Sequence, residues 1–187
     1  MTARRRAVDE AQRREAGRAL ARHVLASPRL QAAGRAVLYS ALPDEMPADE
    51  LLVALLERAR PVLLPRASGD RRLEFAVVDD PASLVIGSFG AREPAPTAPA
   101  EPLRPSDLLL VPGVAFDRRG GRLGRGGGWY DRSLPEPLPA PLGVGYAFQI
   151  VGSVPMTARD RRVEGIFTEL GFDPCTREPQ ERGRDPG

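Results

Sequence analysis

The sequence predicts a single α/β domain, and three observations carry that prediction. Short apolar runs at residues 36–39 (AVLY), 61–64 (PVLL) and 107–111 (DLLLV) have the length and composition of buried strands. Between the first two, residues 47–60 place Leu51, Leu52, Leu55 and Leu56 on one helical face, and strand–helix–strand favours a parallel βαβ unit. A chain of 187 residues, 42% hydrophobic and 28% charged, suits one domain with one sizeable core.

The remaining elements follow in order. Residues 2–26 hold good helix formers without proline, with Ala16, Ala19, Leu20, His23 and Val24 near helical spacing, and Ser27-Pro28 stops that helix. His23 is expected to pack on the helix's apolar side. Residues 72–78 read as a strand, and the proline-rich stretch 91–105 as a stiff surface loop within the domain. Residues 129–134 suggest a helical turn, and 142–148 and 165–169 two further strands. From Phe172 the chain is rich in Pro, Arg and Glu, so the domain is expected to occupy residues 1–171, with a disordered tail over 172–187.

Composition excludes several classes. No apolar run approaches the ~20 residues that span a bilayer, and the arginine-rich N-terminus has no apolar segment of a signal peptide, so the protein is expected in the cytoplasm without a membrane partner. The single cysteine, Cys175, has no partner for a disulfide or a CxxC motif. All 27 basic residues are arginine, a compositional bias that lowers the weight of any one of them. With 25 carboxylates interspersed, the net charge is only +2, and no nucleic-acid partner is implied.

One stretch carries chemistry. The segment VPGVAFDRRGGRLGRGGGWYDRSL, residues 111–134, packs seven glycines, five arginines and two aspartates behind a buried strand and around an aromatic pair. Glycines let successive backbone N–H groups converge on an anion, arginines offer planar charged forks to phosphate, and Asp131 can hold a hard cation. In open α/β sheets ligands gather where strands end in such loops, so a phosphate site is expected here. It is not a Walker A loop, which requires a lysine, nor can GxGxxG with its following helix be placed on these glycines. An arginine-glycine clamp for RNA is a third possibility, which the preceding buried strand disfavours.

The same stretch, PGVAFDRRGGRLGRGGGWYDR, closely resembles the signature of the 5-formyltetrahydrofolate cyclo-ligases, or methenyltetrahydrofolate synthetases, roughly PGxAFDxxGxRLGxGxGYYDR. Tyr39 with Glu45, the segment from Phe89 to Pro94, and the segment from Gly145 to Glu169 resemble other family motifs in the same order. Together they cover roughly residues 36 to 171. The resemblance implies a three-layer α/β/α fold with an open, mostly parallel sheet, like the NagB, RpiA and CoA-transferase proteins. It also implies a monomeric enzyme that uses ATP and Mg²⁺ to close 5-formyltetrahydrofolate to 5,10-methenyltetrahydrofolate.

By that resemblance the ATP phosphates lie on Arg122, Leu123, Gly124, Arg125, Gly126, Gly127, Gly128, Trp129 and Tyr130, with Arg125 and Tyr130 acting in catalysis. Mg²⁺ is expected on Asp131 and Asp160. Glu45, Phe89, Tyr130 and Gln149 would contact the folate, with Glu93 a further candidate. Trp129 stands where the family has the first of two tyrosines, and Arg159 where it commonly has histidine before the aspartate. Counting back from Tyr39 exhausts the chain before the family's opening Lys-x-x-Leu-Arg segment. That leaves the cluster Arg4, Arg5 and Arg6, with Arg4 as the ATP-contacting candidate, and leaves open a truncated start or a weakened ATP site. Two rival expectations are a folate- or nucleotide-binding relative without turnover and the RNA clamp.

Overall fold

The computed structural model describes residues 1–134, 140–157 and 160–176. The helices and strands, in chain order, are α1 (Thr2–Arg6), α2 (Glu10–Leu25), α3 (Pro28–Ala32), β1 (Arg35–Val37), α4 (Asp49–Leu56), β2 (Val62–Ser68), β3 (Arg72–Val77), β4 (Val85–Ile86) and β5 (Arg92–Glu93). There follow β6 (Asp107–Pro112), β7 (Ala115–Asp117), β8 (Arg122–Leu123), α5 (Trp129–Ser133), β9 (Leu142–Val144), β10 (Ile150–Val151), β11 (Gly165–Thr168) and β12 (Gly171–Pro174).

The main sheet, seven-stranded among the described residues, runs β12-β11-β9-β6-β1-β2-β3. Its five central strands are parallel, and β3 and β12 pair antiparallel at the two edges. The expected open, mostly parallel sheet is therefore present, and its two-residue side-chain period sorts the apolar runs into two cores. Ala36, Leu38, Val62, Leu64, Leu108, Leu110 and Phe167 face α2, α3 and α4. Val37, Leu63, Leu109, Val111 and Ile166 face the other side. There the cover is α5, which packs on β3, and a small sheet ordered β10-β7-β8. Phe116 of β7 lies against Gly143 of β9, where a Cβ would come within 2.5 Å of its ring.

Four details differ from expectation. Residues 2–26 form two helices, because Asp9 caps a new one: its carboxylate accepts from the Gln12 amide at 2.8 Å, while the Gln12 side chain accepts from the Asp9 amide at 3.2 Å. Ser27-Pro28 stops α2 and also starts α3, with Pro28 at the first helical position. The strand expected over 142–148 ends at Val144, since the Tyr146 amide is claimed by the Gln149 side chain in a 3₁₀ turn. Phe172 to Pro174, expected in the tail, extend the sheet, because Phe172 packs its ring 4.8 Å from that of Phe167. Residues 177–187 of that tail lie outside the described residues.

The proline-rich stretch is mostly irregular, as expected, although its first residues form β5. Arg66 pins it by donating to the carbonyls of Ala95 and Ala98, both at 2.8 Å. At the opposite end of the strands from the glycine loop, Arg35 of β1 grips Asp107 of β6 bidentately at 2.9 and 2.7 Å. His23 is half-buried, its Nε2 3.2 Å from the Glu169 carbonyl oxygen.

Candidate active site

The C-terminal ends of β1, β2 and β6 open into a cavity of about 300 Å³. After β6 the chain leaves the main sheet for the β7–β8 hairpin, whose turn is fixed by Asp117. The Asp117 carboxylate accepts from the amides of Arg119 and Gly121, both at 2.9 Å, and of Val154 at 2.8 Å. Burial alone would raise the Asp117 pKa, but these three hydrogen bonds outweigh it and hold it below the usual carboxylate value. The hairpin delivers residues 124–128 over the cavity mouth.

Gly126 (φ 85°) and Gly128 (φ 61°) occupy the left-handed region that favours glycine, the latter as the residue that leads into α5. Among the described residues, no backbone N–H from Gly124 to Gly128 finds an acceptor. Those donors remain available to an anion. The loop is anchored behind by Ser133, which accepts from the Leu73 amide at 2.7 Å and donates to the Trp129 carbonyl at 2.7 Å.

Of the expected site residues, Glu45, Phe89, Arg122, Gly124, Arg125, Gly127, Gly128, Trp129, Tyr130 and Asp131 line this one cavity, and so does Glu93. Its apolar wall comes from Leu42, Pro65, Leu73, Ala91 and Pro112 with the aromatic rings. Phe89, 51% exposed, meets Trp129 edge-to-face at 5.1 Å and forms the rim. Leu123 points outward, and Gly126 serves the loop's turn.

Charge in the cavity is largely paired. Arg122 donates to Asp131 at 2.6 Å and lies 5.7 Å from the Tyr130 ring centre. The Arg161 amide also points at the same Asp131 oxygen, at 3.4 Å. Arg125 donates to Glu45 at 3.1 Å and pairs with Asp44. Asp44 in turn pairs with Arg5, a buried guanidinium that also donates to the Gly113 carbonyl at 3.0 Å. Burial pushes the Asp44 pKa up, yet the hydrogen bonds and charges of Arg5 and Arg125 outweigh it and leave the group below its ordinary value. Burial, reinforced by the Glu45 charge, raises the Tyr130 hydroxyl far above its usual range, so it stays protonated and able to donate.

Two expectations are corrected by placement, and a third residue, Asp160, stands apart from the cavity lining. Arg4 does not reach the cavity, because its guanidinium lies over the Phe148 ring at 4.4 Å; its neighbour Arg5 is the arginine that turns inward. Gln149 is buried and consumed by backbone, donating to Gly113 at 2.7 Å and Val114 at 3.0 Å, so it shapes the site from behind. Asp160 lies off the cavity wall and accepts from the Thr157 amide at 2.6 Å, a bond that lowers its pKa with help from the Arg122 charge. Arg159 lies outside the described residues. Arg5 and Asp44 were missed, although the cluster at Arg4 to Arg6 and the Asp44-Glu45 pair signalled both.

No group of three or more potential metal-ligating side chains occurs among the described residues. Asp131, which lines the cavity, is a carboxylate of the kind Mg²⁺ takes, one or two at a time, completing its shell with phosphate and water. No helix among the described residues is long and apolar enough to cross a membrane.

Comparison with known proteins agrees with this geometry. The chain is 43% identical over 112 residues to a 5-formyltetrahydrofolate cyclo-ligase of Mycolicibacterium smegmatis, a match spanning 56% of this chain and 57% of that protein's length. It is 30% identical over 173 residues to the Escherichia coli K12 protein of the same name, covering 88% of this chain and 94% of that one. The NMR structure of Aquifex aeolicus 5,10-methenyltetrahydrofolate synthetase superposes with a TM-score of 0.81 at 28% identity, covering 100% of this chain and 92% of that one. A Mycoplasma pneumoniae 5,10-methenyltetrahydrofolate synthetase shares the fold, with a TM-score of 0.70 at 17% identity and coverage of 90% and 93%. The family model of the 5-formyltetrahydrofolate cyclo-ligases matches residues 1–169, and the chain belongs to that family.

Proposed function

We propose that this protein uses ATP to close 5-formyltetrahydrofolate to 5,10-methenyltetrahydrofolate, releasing ADP and phosphate. One observation carries the proposal beyond family membership. A single cavity joins an apolar, aromatic slot suited to a flat heterocycle with a glycine-arginine loop whose amides from Gly124 to Gly128 bond no acceptor among the described residues. The RNA clamp is disfavoured by the same geometry, since Arg122 and Arg125 line one cavity of about 300 Å³ together with Phe89, Trp129 and Tyr130, a space suited to a small molecule.

In the reaction the formyl oxygen attacks the γ-phosphorus of ATP and ADP departs with its electron pair. N10 then adds to the activated formyl carbon, loses its proton, and inorganic phosphate leaves to give the methenyl bridge. Phosphoryl transfer of this kind depends on positioning and charge neutralisation. The amides of Gly124 to Gly128 would cradle the phosphates, with Arg122 and Arg125 released from their carboxylates as phosphate oxygens replace them. Tyr130 would donate a hydrogen bond to the reacting oxygens, and Glu45 would accept from the amine edge of the pteridine once Arg125 turns to phosphate. Asp131 and Asp160 would hold Mg²⁺, which neutralises phosphate charge when bound. Phe89 and Trp129 would cover the folate ring.

The test is absorbance. The product carries a conjugated chromophore that the substrate lacks, so a rise that requires ATP and Mg²⁺ is the expected result. An absence of any rise at saturating substrates, with folded protein, overturns the assignment.

A further inference from the structure

Arg5 stands outside the cavity, yet its charge acts on it. Its side chain is 0% exposed and contributes nothing to the lining, so it is screened from any ligand there. From α1 its guanidinium donates to the Asp44 carboxylate at 2.5 Å and to the Gly113 carbonyl at 3.0 Å, while its Nε finds no partner. Asp44 is thereby held at one oxygen by Arg5 and at the other by Arg125. Gly113 follows β6, where the chain departs for the β7–β8 hairpin and the glycine loop.

Arg5, Arg125, Asp44 and Glu45 thus form a cluster of two cations and two anions. In the proposed reaction Arg125 leaves its carboxylates for phosphate. Glu45 then keeps the Leu42 amide at 3.0 Å, and Asp44 keeps Arg5. Without Arg5, Asp44 would either hold Arg125 back or stand as an uncompensated carboxylate beside an incoming triphosphate. Both oppose anion binding, the first by competition for the guanidinium and the second by like-charge repulsion. Burial of the pair strengthens the effect, because buried charges are screened little by salt.

Building on the proposed use of ATP, we infer that Arg5 is a positioning residue for nucleotide binding. By sharing Asp44 it frees Arg125 to move to the phosphates, and it keeps Asp44 neutralised once Arg125 has moved. Its effect on ATP runs through Asp44, without contact to the nucleotide.

Calorimetric titration of Mg-ATP into the protein, with no folate present, tests this in wild type, Arg5→Met and Arg5→Met/Asp44→Asn, with thermal unfolding of each. Methionine fills much of the space without the charge. Arg5→Met raises the Kd for ATP roughly three- to thirtyfold, the range for a residue that acts on a site through its neighbours. The double variant lacks Arg5 as fully but leaves no stranded carboxylate, so its affinity returns most of the way to wild type. An unchanged Kd in Arg5→Met overturns the inference. So does a double variant that binds as weakly as the single one, which marks a structural role or a direct contact. Should Arg5→Met fail to fold, the double variant decides by itself, since weak ATP binding there overturns the inference and near-wild-type binding upholds it. Wild-type protein that binds ATP yet yields no product defeats the ring-closure assignment and leaves the Kd comparison intact, so the two failures are distinguishable.

Discussion

Replacing Asp44 by alanine removes the carboxylate that bridges Arg5 and Arg125. The two guanidinium groups differ in environment: the Arg5 side chain is 0% exposed and that of Arg125 is 41% exposed. Without Asp44, Arg5 keeps only its bond to the Gly113 carbonyl, and its Nε already lacks a partner. Stranding one member of a buried pair costs about 3–5 kcal/mol, and the surviving Gly113 bond places this case near the lower figure. Removing the Arg125 side chain leaves Asp44 paired with Arg5, but the buried Glu45 carboxylate keeps only the Leu42 amide, so Arg125→Ala costs about 1–2 kcal/mol of stability. For a chain of this size each kcal/mol shifts Tm by roughly 2–4 °C, so Asp44→Ala should melt about 6–12 °C below wild type. Urea and thermal unfolding of both variants provide the comparison. An Asp44→Ala protein no less stable than Arg125→Ala would refute the reasoning. The sign with pH follows from the depressed carboxyl. Its stabilisation is complete above the ordinary value of 3.8 and is lost as pH falls through the lower folded value, so acid should narrow the gap between wild type and Asp44→Asn.

Arg125→Ala, the milder of the two changes for stability, should lower kcat/KM about 10²- to 10³-fold, as expected for a preorganised charge facing the transition state, measured by the absorbance assay. Asp131→Asn should raise the Mg²⁺ concentration needed for half-maximal rate more than Asp160→Asn does, because Asp131 lines the cavity and Asp160 does not; equal effects would contradict that placement. Gly128→Ala forces a Cβ into a left-handed turn and within 2.8 Å of the Arg132 guanidinium, so a stability loss of about 1 kcal/mol and a weakened ATP affinity are expected by unfolding and titration.

Much of the sheet was legible because its central strands are buried on both faces. DLLLV and PVLL are continuous apolar runs for that reason, and Leu108 and Leu109 feed opposite cores. The residues of the glycine-arginine loop were legible because their chemistry is local: glycines that turn, arginines and Asp131 that carry charge. The break at Asp9 was also written in the chain, as Asp9-x-x-Gln12, but its helix-forming flanks concealed it. Two features had no local signature. Which of Arg4, Arg5 and Arg6 turns inward depends on how a five-residue helix docks beside Asp44, and β12 has a polar sequence whose strand state comes from pairing with β11.

By itself, then, the sequence determined the class of fold, the family and the residues able to handle phosphate, since periodicity, turn chemistry and charge are properties of neighbouring residues. Only the tertiary structure decided which carboxylate holds which guanidinium, that Gln149 is consumed by backbone, and that Arg5 rather than Arg4 stands behind the site. Those outcomes depend on contacts between residues as many as 108 positions apart, as in the bond from Arg5 to Gly113, and such contacts exist only once the sheet has assembled.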